Sequence, residues 1–387
     1  MKTLLIFSPE IRHFQRAEQQ SREAADQSPR YSLLEDALNA DVVDGSYLQS
    51  LSWFMGLLHK LFFIPIPVVQ ALEVYRRRHH YDVVISWDDR FALIYAFLLM
   101  LTRSRSRHVA ILSWMAPPKK AFALKLVQKG IDRIIVWSQN QKELLVEFFG
   151  ISPSKIVVIP YFVDQRFWRP MDVASEGICS VGDSRRDYPT LIEAMRGLEI
   201  TCRIVTQVRP SQKSSSDHDA TSSSLAEMSN LPDHIVLGSA SPVELRAIYA
   251  RSRFVVIPLF PSFRDSGITT VTEAMAMGKA IICSRIYGQI DLLEDGINGI
   301  FVRPGDPRAL REAIQYLCEH PDAAARMGAE GRRRAEEVFA LDHFVDNVRQ
   351  IVEDVITGNR THIPTAEEKI RVLSTAPQKK DSKYLLR

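Results

Sequence analysis

The stretch FVVIPLFPSFRDSGITTVTEAMAMGKAIICS, residues 254–284, contains a strand, a loop, a helix and a second strand in that order. Two apolar runs rich in β-branched residues, Phe254–Leu259 and Ala280–Ser284, flank a helical stretch, Thr269–Met277, and Gly278 follows as the glycine that commonly ends a helix. Because two parallel strands need a crossover connection, usually a helix, this order predicts a βαβ unit. Repeats of such a unit build a parallel sheet covered by helices, so the stretch decides the fold class.

The same alternation of strand-like and helical stretches continues on both sides of this unit. The further strand-like runs are Thr3–Phe7, Asp82–Ser86, His108–Leu112, Arg133–Trp137, Ile156–Pro160, Ile178–Gly182, Arg203–Val208, Ile235–Gly238 and Ile300–Val302. A chain of 387 residues is too long for one typical domain. We therefore predict an α/β protein with two doubly wound parallel-sheet domains.

The domain boundary is expected in the passage IPYFVDQRFWRPM, residues 159–171, because it holds two prolines and has no regular period. The predicted domains are 1–165 and 166–340. A long helical stretch from Ala323 to about Val355 closes the second set of strands.

The end of that stretch carries an amphipathic stripe, and the resulting helix, about 341–357, is assigned to the first domain through the resemblance described below. The polar residues 358–387 lose the period, which predicts a tail that is disordered or loosely attached. The serine-rich segment 209–230 is expected to be a flexible excursion, with a mobile lid as the alternative.

A cytoplasmic protein is expected, because the sequence shows neither a membrane-spanning run nor a recognisable signal peptide. The formal net charge is only +3, which does not indicate nucleic-acid binding, but residues 1–170 hold 22 Lys+Arg and 16 Asp+Glu. Basic clusters such as Arg76–Arg78 and Lys119–Lys120 lie near apolar runs, which favours contact with the inner face of an anionic membrane. Solvated helix ends are the alternative. Neither apolar run is suited to spanning a membrane, and no signal peptide is recognisable.

Asp265 and Glu273 stand eight positions apart around the start of the predicted helix. Ligands of an open parallel sheet bind beyond the carboxyl ends of its strands, where loops lead into helices. Ser266 and Gly267 fall at the helix N-terminus, where free N–H groups and the helix dipole favour an anion such as phosphate. We predict that a nucleotide-sugar binds here, with one carboxylate at each end and the diphosphate between them. An acidic pair that arose by chance is the alternative.

A second loop, GDSRRDYPTL, residues 182–191, is expected at the same edge of the sheet. Asp187 is placed to cap the next helix, which leaves Arg185 and Arg186 in the loop. Arginine can grip a diphosphate with two parallel hydrogen bonds and offset its charge as a leaving group departs. A solvated arginine pair is the alternative. The sequence shows no cluster with metal-ligand spacing, so we expect arginines and the helix dipole to take the place of a metal ion.

Candidate acceptor residues follow two strands of the first domain. Asp88 or Asp89, in the segment SWDDR, is suited to holding an acceptor hydroxyl, and Trp87, in the same segment, or Trp114, in LSWMAPPKK, to stacking on a sugar face. The alternatives are a helix cap at Asp88 or Asp89 and a packed Trp114.

These residues resemble the donor motif of the GT-B glycosyltransferases, and among them glycosyltransferase family 4. In that motif an acidic residue is followed, after seven residues, by Glu and Ala-Met-Ala-x-Gly, which is similar to Asp265 and to the run that begins at Glu273. The segments CSVGDSRRDYPTLIEA, residues 179–194, and GQIDLLEDGINGIFVRPGDPRALREAI, residues 288–314, are similar to its phosphate-binding segment and its usual continuation. The match is specific over about 130–310 and topological before that.

The resemblance implies the GT-B fold, with two Rossmann-like domains facing a cleft, the acceptor on the first and the donor on the second. It assigns Glu273 to the ribose, Asp265 to the transferred sugar and Arg186, with Arg185, to the diphosphate. The backbone contacts to the donor would come from Gly182, Ser266, Gly267, Ile268 and Thr269. Asp265, Glu273 and Arg186 would be the catalytic residues.

The implied function is that of a retaining hexosyltransferase that needs no metal ion or other cofactor and acts in cell-surface polysaccharide or glycoconjugate biosynthesis. The acceptor would be a glycan or a lipid-linked sugar. Position 265 is Asp where the family usually has Glu, and the turn SPEIRHFQ, residues 8–15, lacks the glycine-rich loop often found there. These departures keep two alternatives open, a non-catalytic GT-B protein that binds a sugar nucleotide or glycan, and a sugar-nucleotide epimerase.

Overall fold

The computed structural model describes residues 1–7, 16–44, 65–113, 118–206, 231–262, 266–286 and 292–373. The chain forms two units. The first comprises Met1–Ala25, Arg30–Pro160 and Asp342–Thr365, and the second comprises Asp26–Pro29, Tyr161–Leu341 and Ala366–Arg387. The main boundary, between Pro160 and Tyr161, lies inside the proline-containing passage 159–171.

The first unit is built on a parallel sheet of six strands in the order β2-β1-β3-β4-β5-β6. Its strands are β1 (Thr3–Phe7), β2 (Ala40–Val43), β3 (Val83–Trp87), β4 (Arg107–Ile111), β5 (Arg133–Val136) and β6 (Ile156–Val158). Its helices are Arg16–Ala24, Leu33–Ala37, Ile66–Arg77, Asp89–Leu101, Pro118–Val127, Gln139–Glu143 and Leu341–Thr357. A short π-helical turn, Leu144–Phe148, follows Gln139–Glu143.

The second unit is built on another parallel sheet of six strands, in the order β12-β11-β10-β7-β8-β9. Its strands are β7 (Ile178–Val181), β8 (Cys202–Val205), β9 (Ile235–Gly238), β10 (Phe254–Ile257), β11 (Ala280–Ser284) and β12 (Gly299–Val302). Its helices are Tyr188–Met195, Pro242–Arg251, Ile268–Ala276, Pro307–Glu319, Pro321–Glu337 and Ala366–Leu373. The two sheets confirm the predicted fold class of doubly wound parallel α/β layers.

Strand β10 shows why this sequence pattern produces a sheet covered on both faces. All four of its residues are completely buried. Phe254 and Val256 belong to one apolar cluster, and Val255 and Ile257 belong to another. Because alternate residues of a strand point to opposite faces, an uninterrupted apolar run is what a sheet with helices on both sides requires.

The structure adds one strand that the sequence pattern did not predict. Strand β2, with the sequence ADVV, is only four residues long, and Asp41 is exposed on it. It pairs with β1 in parallel register, Thr3 with Ala40 and Ile6 with Val43. Its apolar signal is too short to be distinguished from a loop before its partner strand is known.

The helical stretch predicted from Ala323 to about Val355 is divided in the structure into Pro321–Glu337 and Leu341–Thr357, and the second helix has the bounds expected through the resemblance. Ala340 forms a parallel bridge with Val163, whose N–H donates to Phe339 O and whose carbonyl accepts from the N–H of Leu341. These bonds draw the backbone out of the helix at the point where the chain passes from the second unit to the first.

The first part of the polar tail is more regular than predicted. The N–H of Thr361 donates to the carboxylate of Asp354, and the helix Ala366–Leu373 packs Ala366 and Ile370 against the main core of the second unit. The rest of the tail, 374–387, and the serine-rich segment 209–230 lie outside the described residues.

Each sheet has one point at which its strand order reverses. In the first unit, the chain moves from β1 outward to β2 on one side and to β3 on the other. In the second unit the reversal lies between β7 and β10. The connections that leave two such strands run to opposite faces of the sheet, which opens a crevice at the carboxyl ends where α/β proteins bind their ligands.

Candidate functional site

The two predicted site loops of the second unit leave β7 and β10, the strands on either side of its reversal point. Backbone hydrogen bonds join the loops, because the N–H of Asp187 donates to Pro258 O at 3.0 Å and the N–H of Phe260 donates to Arg185 O at 3.1 Å. Arg186 and Leu259 also form an antiparallel bridge. The structure therefore brings together two loops that are more than 70 residues apart in sequence.

Arg186 is the side chain that connects these loops. It is only 3% exposed, and its guanidinium donates to Val181 O at 2.8 Å, to Ser184 O at 3.0 Å and to Thr270 Oγ1 at 2.9 Å. A guanidinium has five N–H groups, so these three bonds among the described residues leave two for a ligand. Arg186 thus positions both loops and holds a positive charge beside the first turn of the helix Ile268–Ala276.

Gly182, at the start of this loop, occupies a position that requires a glycine. Gly182 has a φ of +116°, and a Cβ there would lie 2.3 Å from Nη2 of Arg186. Glycine supplies both the conformation and the space. Arg185 is a non-glycine residue with a φ of +54°, and its Nη2 donates to Pro261 O at 3.0 Å.

Asp187 caps the helix Tyr188–Met195 by accepting from the N–H of Thr190, which confirms its predicted role as a helix cap.

The helix Ile268–Ala276 begins at the reversal point. Gly267 immediately precedes it with a φ of +84°, and Ser266 is buried. The first N–H groups of a helix have no partner within it, so those of Ile268 and Thr269 are suited to binding an anion. The positive charge of Arg186, which is bonded to Thr270, adds to the potential of the helix N-terminus. Asp265 lies outside the described residues.

Glu273 lies on the second turn of the same helix and keeps part of its surface accessible. Its Oε2 accepts a hydrogen bond from the hydroxyl of Tyr249 at 3.0 Å. Burial raises the pKa of the Glu273 carboxyl to about 7, although the Tyr249 hydrogen bond and the charge of Arg186 act in the opposite direction. The carboxyl group is therefore largely shielded from water, and the Tyr249 hydroxyl fixes its orientation. Such a group is suited to recognising hydroxyl groups of a ligand.

Two tyrosines of this site were missed by the sequence analysis. Tyr249 is completely buried and packs edge-on against Trp168. Tyr161 forms a hydrogen bond with Thr269 at 3.2 Å, and burial raises its pKa, with a smaller contribution from the charge of Glu273. The sequence carries no signal for either contact, since the partner residues are 24 and 108 positions away.

The candidate acceptor residues of the first unit lie after β3, one of the strands at its reversal point. Asp88 caps the helix Asp89–Leu101 and accepts from the N–H of Phe91 at 2.8 Å, as one of the two sequence-based alternatives expected. Asp89 is 7% exposed, accepts from the N–H of Ser113 and is paired with Lys120 at 3.2 Å. Burial raises the pKa of Asp89, and the charge of Lys120 lowers it. Trp114 lies outside the described residues.

Among the described residues, no group of three His, Cys, Asp or Glu side chains is arranged to hold a metal ion. This finding leaves metal independence a prediction. The same residues include no helix that is both long and apolar enough to cross a membrane.

Two family models match the chain. The model described as glycosyl transferases group 1 matches residues 178–334, and the model of Glycosyltransferase Family 4 matches residues 25–167. Together they cover both units and include the loop after β7 and the helix that carries Glu273.

Two curated relatives illustrate the similarity in sequence. The MMP alpha-(1->4)-mannosyltransferase of Mycolicibacterium hassiacum is 27% identical over 273 residues, which are 66% of this chain and 64% of the relative. The D-inositol 3-phosphate glycosyltransferase of Acidothermus cellulolyticus is 22% identical over 265 residues, 63% of this chain and 58% of the relative. The chain thus spans less than two thirds of the length of these relatives.

Solved structures show the fold. The sucrose-phosphate synthase of Thermosynechococcus elongatus has a TM-score of 0.68 at 16% identity, covering 93% of this chain and 100% of the other. HepE of Anabaena in complex with UDP-glucose has a TM-score of 0.65 at 16% identity, covering 92% of this chain and 100% of the other. At these identities the likeness supports the architecture and says nothing of the substrate.

Proposed function

Because the chain belongs to the group 1, family 4 type of GT-B glycosyltransferases, we propose that it is a retaining glycosyltransferase that uses a nucleotide-diphosphate sugar. The observation that carries this proposal is the start of the helix Ile268–Ala276 at the reversal point of the second sheet. Three features meet there: open N–H groups after Gly267, the buried charge of Arg186, and the oriented carboxylate of Glu273.

The chemistry of these groups matches the parts of such a donor. A diphosphate is an anion, and the first turn of the helix offers N–H donors to it within a positive potential. The ribose offers two adjacent hydroxyls, and Glu273 has one carboxylate oxygen held by Tyr249 while the other is suited to accept from them. Asp265 is proposed to recognise the transferred sugar, and Arg185 to assist at the diphosphate.

The same groups would promote departure of the nucleotide. As the bond between the sugar and the diphosphate breaks, negative charge grows on the leaving oxygen. Preorganised N–H donors in a dry site stabilise such charge by about 3–4 kcal/mol each. In a retaining reaction the acceptor hydroxyl adds to the sugar on the face that the diphosphate leaves, so the departing group is close enough to receive the proton of that hydroxyl.

The name of one similar protein, a mannosyltransferase, supports a hexose as the transferred group. We propose a glycan or lipid-linked acceptor, a role in polysaccharide or glycoconjugate biosynthesis, and a cytoplasmic location at the inner face of the membrane. Metal independence belongs to the same proposal, with Arg186 and the helix N-terminus supplying the positive charge.

The test is sugar transfer from a panel of uridine- and guanosine-diphosphate sugars, with release of free nucleotide measured in the absence of acceptor. We expect slow release by the wild type and a loss of kcat/KM of about 10- to 100-fold in Glu273→Gln, because a hydrogen bond to a charged group is lost. Glu193→Gln, which replaces an exposed glutamate paired with Arg196 in the same unit, is the matched control.

Other outcomes would contradict the proposal. Wild-type rates in Glu273→Gln with a donor that is turned over would remove the role of this carboxylate. Donor binding without release or transfer would assign the chain to the non-catalytic alternative, and a changed sugar on an intact nucleotide would assign it to the epimerases.

A further inference from the structure

Two neighbouring helices of the first unit, Asp89–Leu101 and Pro118–Val127, present large apolar side chains to solvent. These side chains are Phe97, Leu101, Phe122 and Leu126, which are 46%, 66%, 60% and 58% exposed. Single exposed apolar residues are ordinary on soluble proteins, but a group of them on adjacent elements marks an interaction surface.

The first of these helices is apolar on every side. After Asp89 and Arg90 its sequence is FALIYAFLLML, eleven residues without a charge. Phe91 and Tyr95 are completely buried, so one side of the helix packs in the core. A helix that is hydrophobic all round is normally enclosed by protein or lipid, yet this one leaves Phe97 and Leu101 open to solvent.

The two helices belong to one packed layer of the first unit. Gly130 belongs to the turn that directly follows Pro118–Val127, and a Cβ on it would lie 2.1 Å from the carbonyl oxygen of Ala96. The backbone of this turn therefore touches the helix Asp89–Leu101 next to Phe97. Leu93 and Leu124 pack in the same apolar cluster, which fills the space between the helices.

The sequence between Arg90 and Ile131 carries charge of one sign. From Arg90 to Ile131 the chain has 42 residues with eight Lys and Arg and no Asp or Glu. Lys119, Lys125 and Lys129 are exposed. Lys120 and Arg107 are paired with acidic side chains, namely Asp89 and Asp132, so they add less to the surface potential. A basic rim around exposed aromatic and leucine side chains complements an anionic lipid surface.

We propose that Phe97, Leu101, Phe122 and Leu126, with Lys119, Lys125 and Lys129, form a basic apolar face that binds an anionic phospholipid bilayer. The apolar side chains enter the boundary between headgroups and acyl chains, and the lysines contact the phosphates. The charge pattern selects this occupant over a second copy of the chain, because two copies of one basic face repel each other. The proposal does not depend on sugar transfer.

The experiment is flotation of the full chain with vesicles of phosphatidylcholine alone or mixed with phosphatidylglycerol. We expect binding to the mixed vesicles only, and weaker binding as salt is added. Two double variants test the parts of the face, Phe122→Ser with Leu126→Ser and Lys125→Glu with Lys129→Glu. Each should weaken vesicle binding at least about tenfold. For the lysine pair the reason is that one basic side chain near an anionic surface raises the binding constant about fivefold by itself.

Two matched controls separate this surface from general changes in hydropathy and charge. Val236→Ser with Val243→Ser removes two exposed valines of the second unit, and Arg308→Glu with Arg349→Glu makes the same change in net charge elsewhere. Both should bind like the wild type. Because every replaced side chain is exposed, the variants should retain the wild-type circular dichroism spectrum.

Three results would overturn the proposal. The first is absence of wild-type binding to the mixed vesicles, and the second is equal binding by the face variants and their controls. The third is self-association in sedimentation velocity that Phe122→Ser with Leu126→Ser abolishes without any vesicle binding, which would assign the face to a second copy.

Discussion

The protonation of Glu273 should control donor affinity near neutral pH. The neutral carboxyl group accepts hydrogen bonds from ribose hydroxyls more weakly than the carboxylate does, and burial raises the pKa of Glu273 from the ordinary 4.5 to about 7. Between about pH 8 and pH 6 the ionised fraction therefore falls about tenfold, and we expect the association constant for the donor to fall by up to the same factor. Most glutamates, with a pKa near 4.3, would produce no change over this range.

Tyr249→Phe tests the cause of this behaviour. The hydroxyl of Tyr249 donates to the carboxylate at 3.0 Å, and a hydrogen bond to a charged group contributes about 1.5–3 kcal/mol. At 1.36 kcal/mol per unit, its loss should raise the pKa of Glu273 by about 1–2 units. Donor affinity at about pH 7.5 should then fall about 4- to 40-fold, and it should recover toward the wild-type value at alkaline pH.

The assay is isothermal titration calorimetry of the intact donor, without acceptor, across this pH range. Tyr316→Phe, which removes a hydroxyl from a ring stacked on His320 in the same unit, is the control and should follow the wild-type curve. The reasoning is refuted if wild-type affinity is constant between about pH 6 and pH 8, or if Tyr249→Phe lowers affinity by one factor at every pH.

Three further predictions concern stability. The pKa of Glu273 is higher in the folded than in the unfolded protein, so the wild type loses stability as the pH rises from about 4.5 to about 7. Glu273→Gln removes this loss, and its free energy of unfolding relative to the wild type should rise by up to about 3 kcal/mol over this range, measured by urea denaturation. Gly182→Ala should cost more than about 1 kcal/mol and weaken donor binding, whereas Gly197→Ala, at a φ of +75° with open space, should show the backbone strain alone. Burial lowers the pKa of His108 to about 4, so stability should fall as the pH drops from about 6.5 to 4, and His108→Gln should reduce this dependence by up to about 3 kcal/mol.

The fold could be predicted from the sequence wherever burial on both faces of a sheet leaves a long apolar run. The run that contains Phe254–Ile257 is an example, because all four of its residues are buried and none has to compromise with solvent. Strand β2 could not be predicted, and the break at Ala340 was expected only through the resemblance and not from the periodicity, because each depends on a hydrogen-bonded partner distant in sequence. The hydrophobic period indicates which side of a helix or strand is buried. It does not indicate where a distant segment of the same chain interrupts that helix or strand.

The site was predicted in position but not in geometry. Asp187 and Gly267 could be assigned because caps and helix starts depend on residues three or four positions away. Arg186 could be placed in the right loop, but the direction of its guanidinium is set by Ser184 nearby and by Thr270, 84 positions away. Arg186 was expected to bind the ligand from an open loop. In the structure it is buried, connects two loops through three hydrogen bonds and leaves two N–H groups for a ligand.

Backbone positions with positive φ and two largely buried charged groups of the second unit lie where the strand order reverses. Gly182 and Arg185 have positive φ there, Arg186 is buried, and burial raises the pKa of the Glu273 carboxyl. A positive φ at a non-glycine residue and the burial of charged groups both cost free energy. Costly groups that converge on one crevice are expected at a functional site. The convergence argues that the loop after β7 and the helix Ile268–Ala276 bind a ligand, independently of any similarity to other proteins.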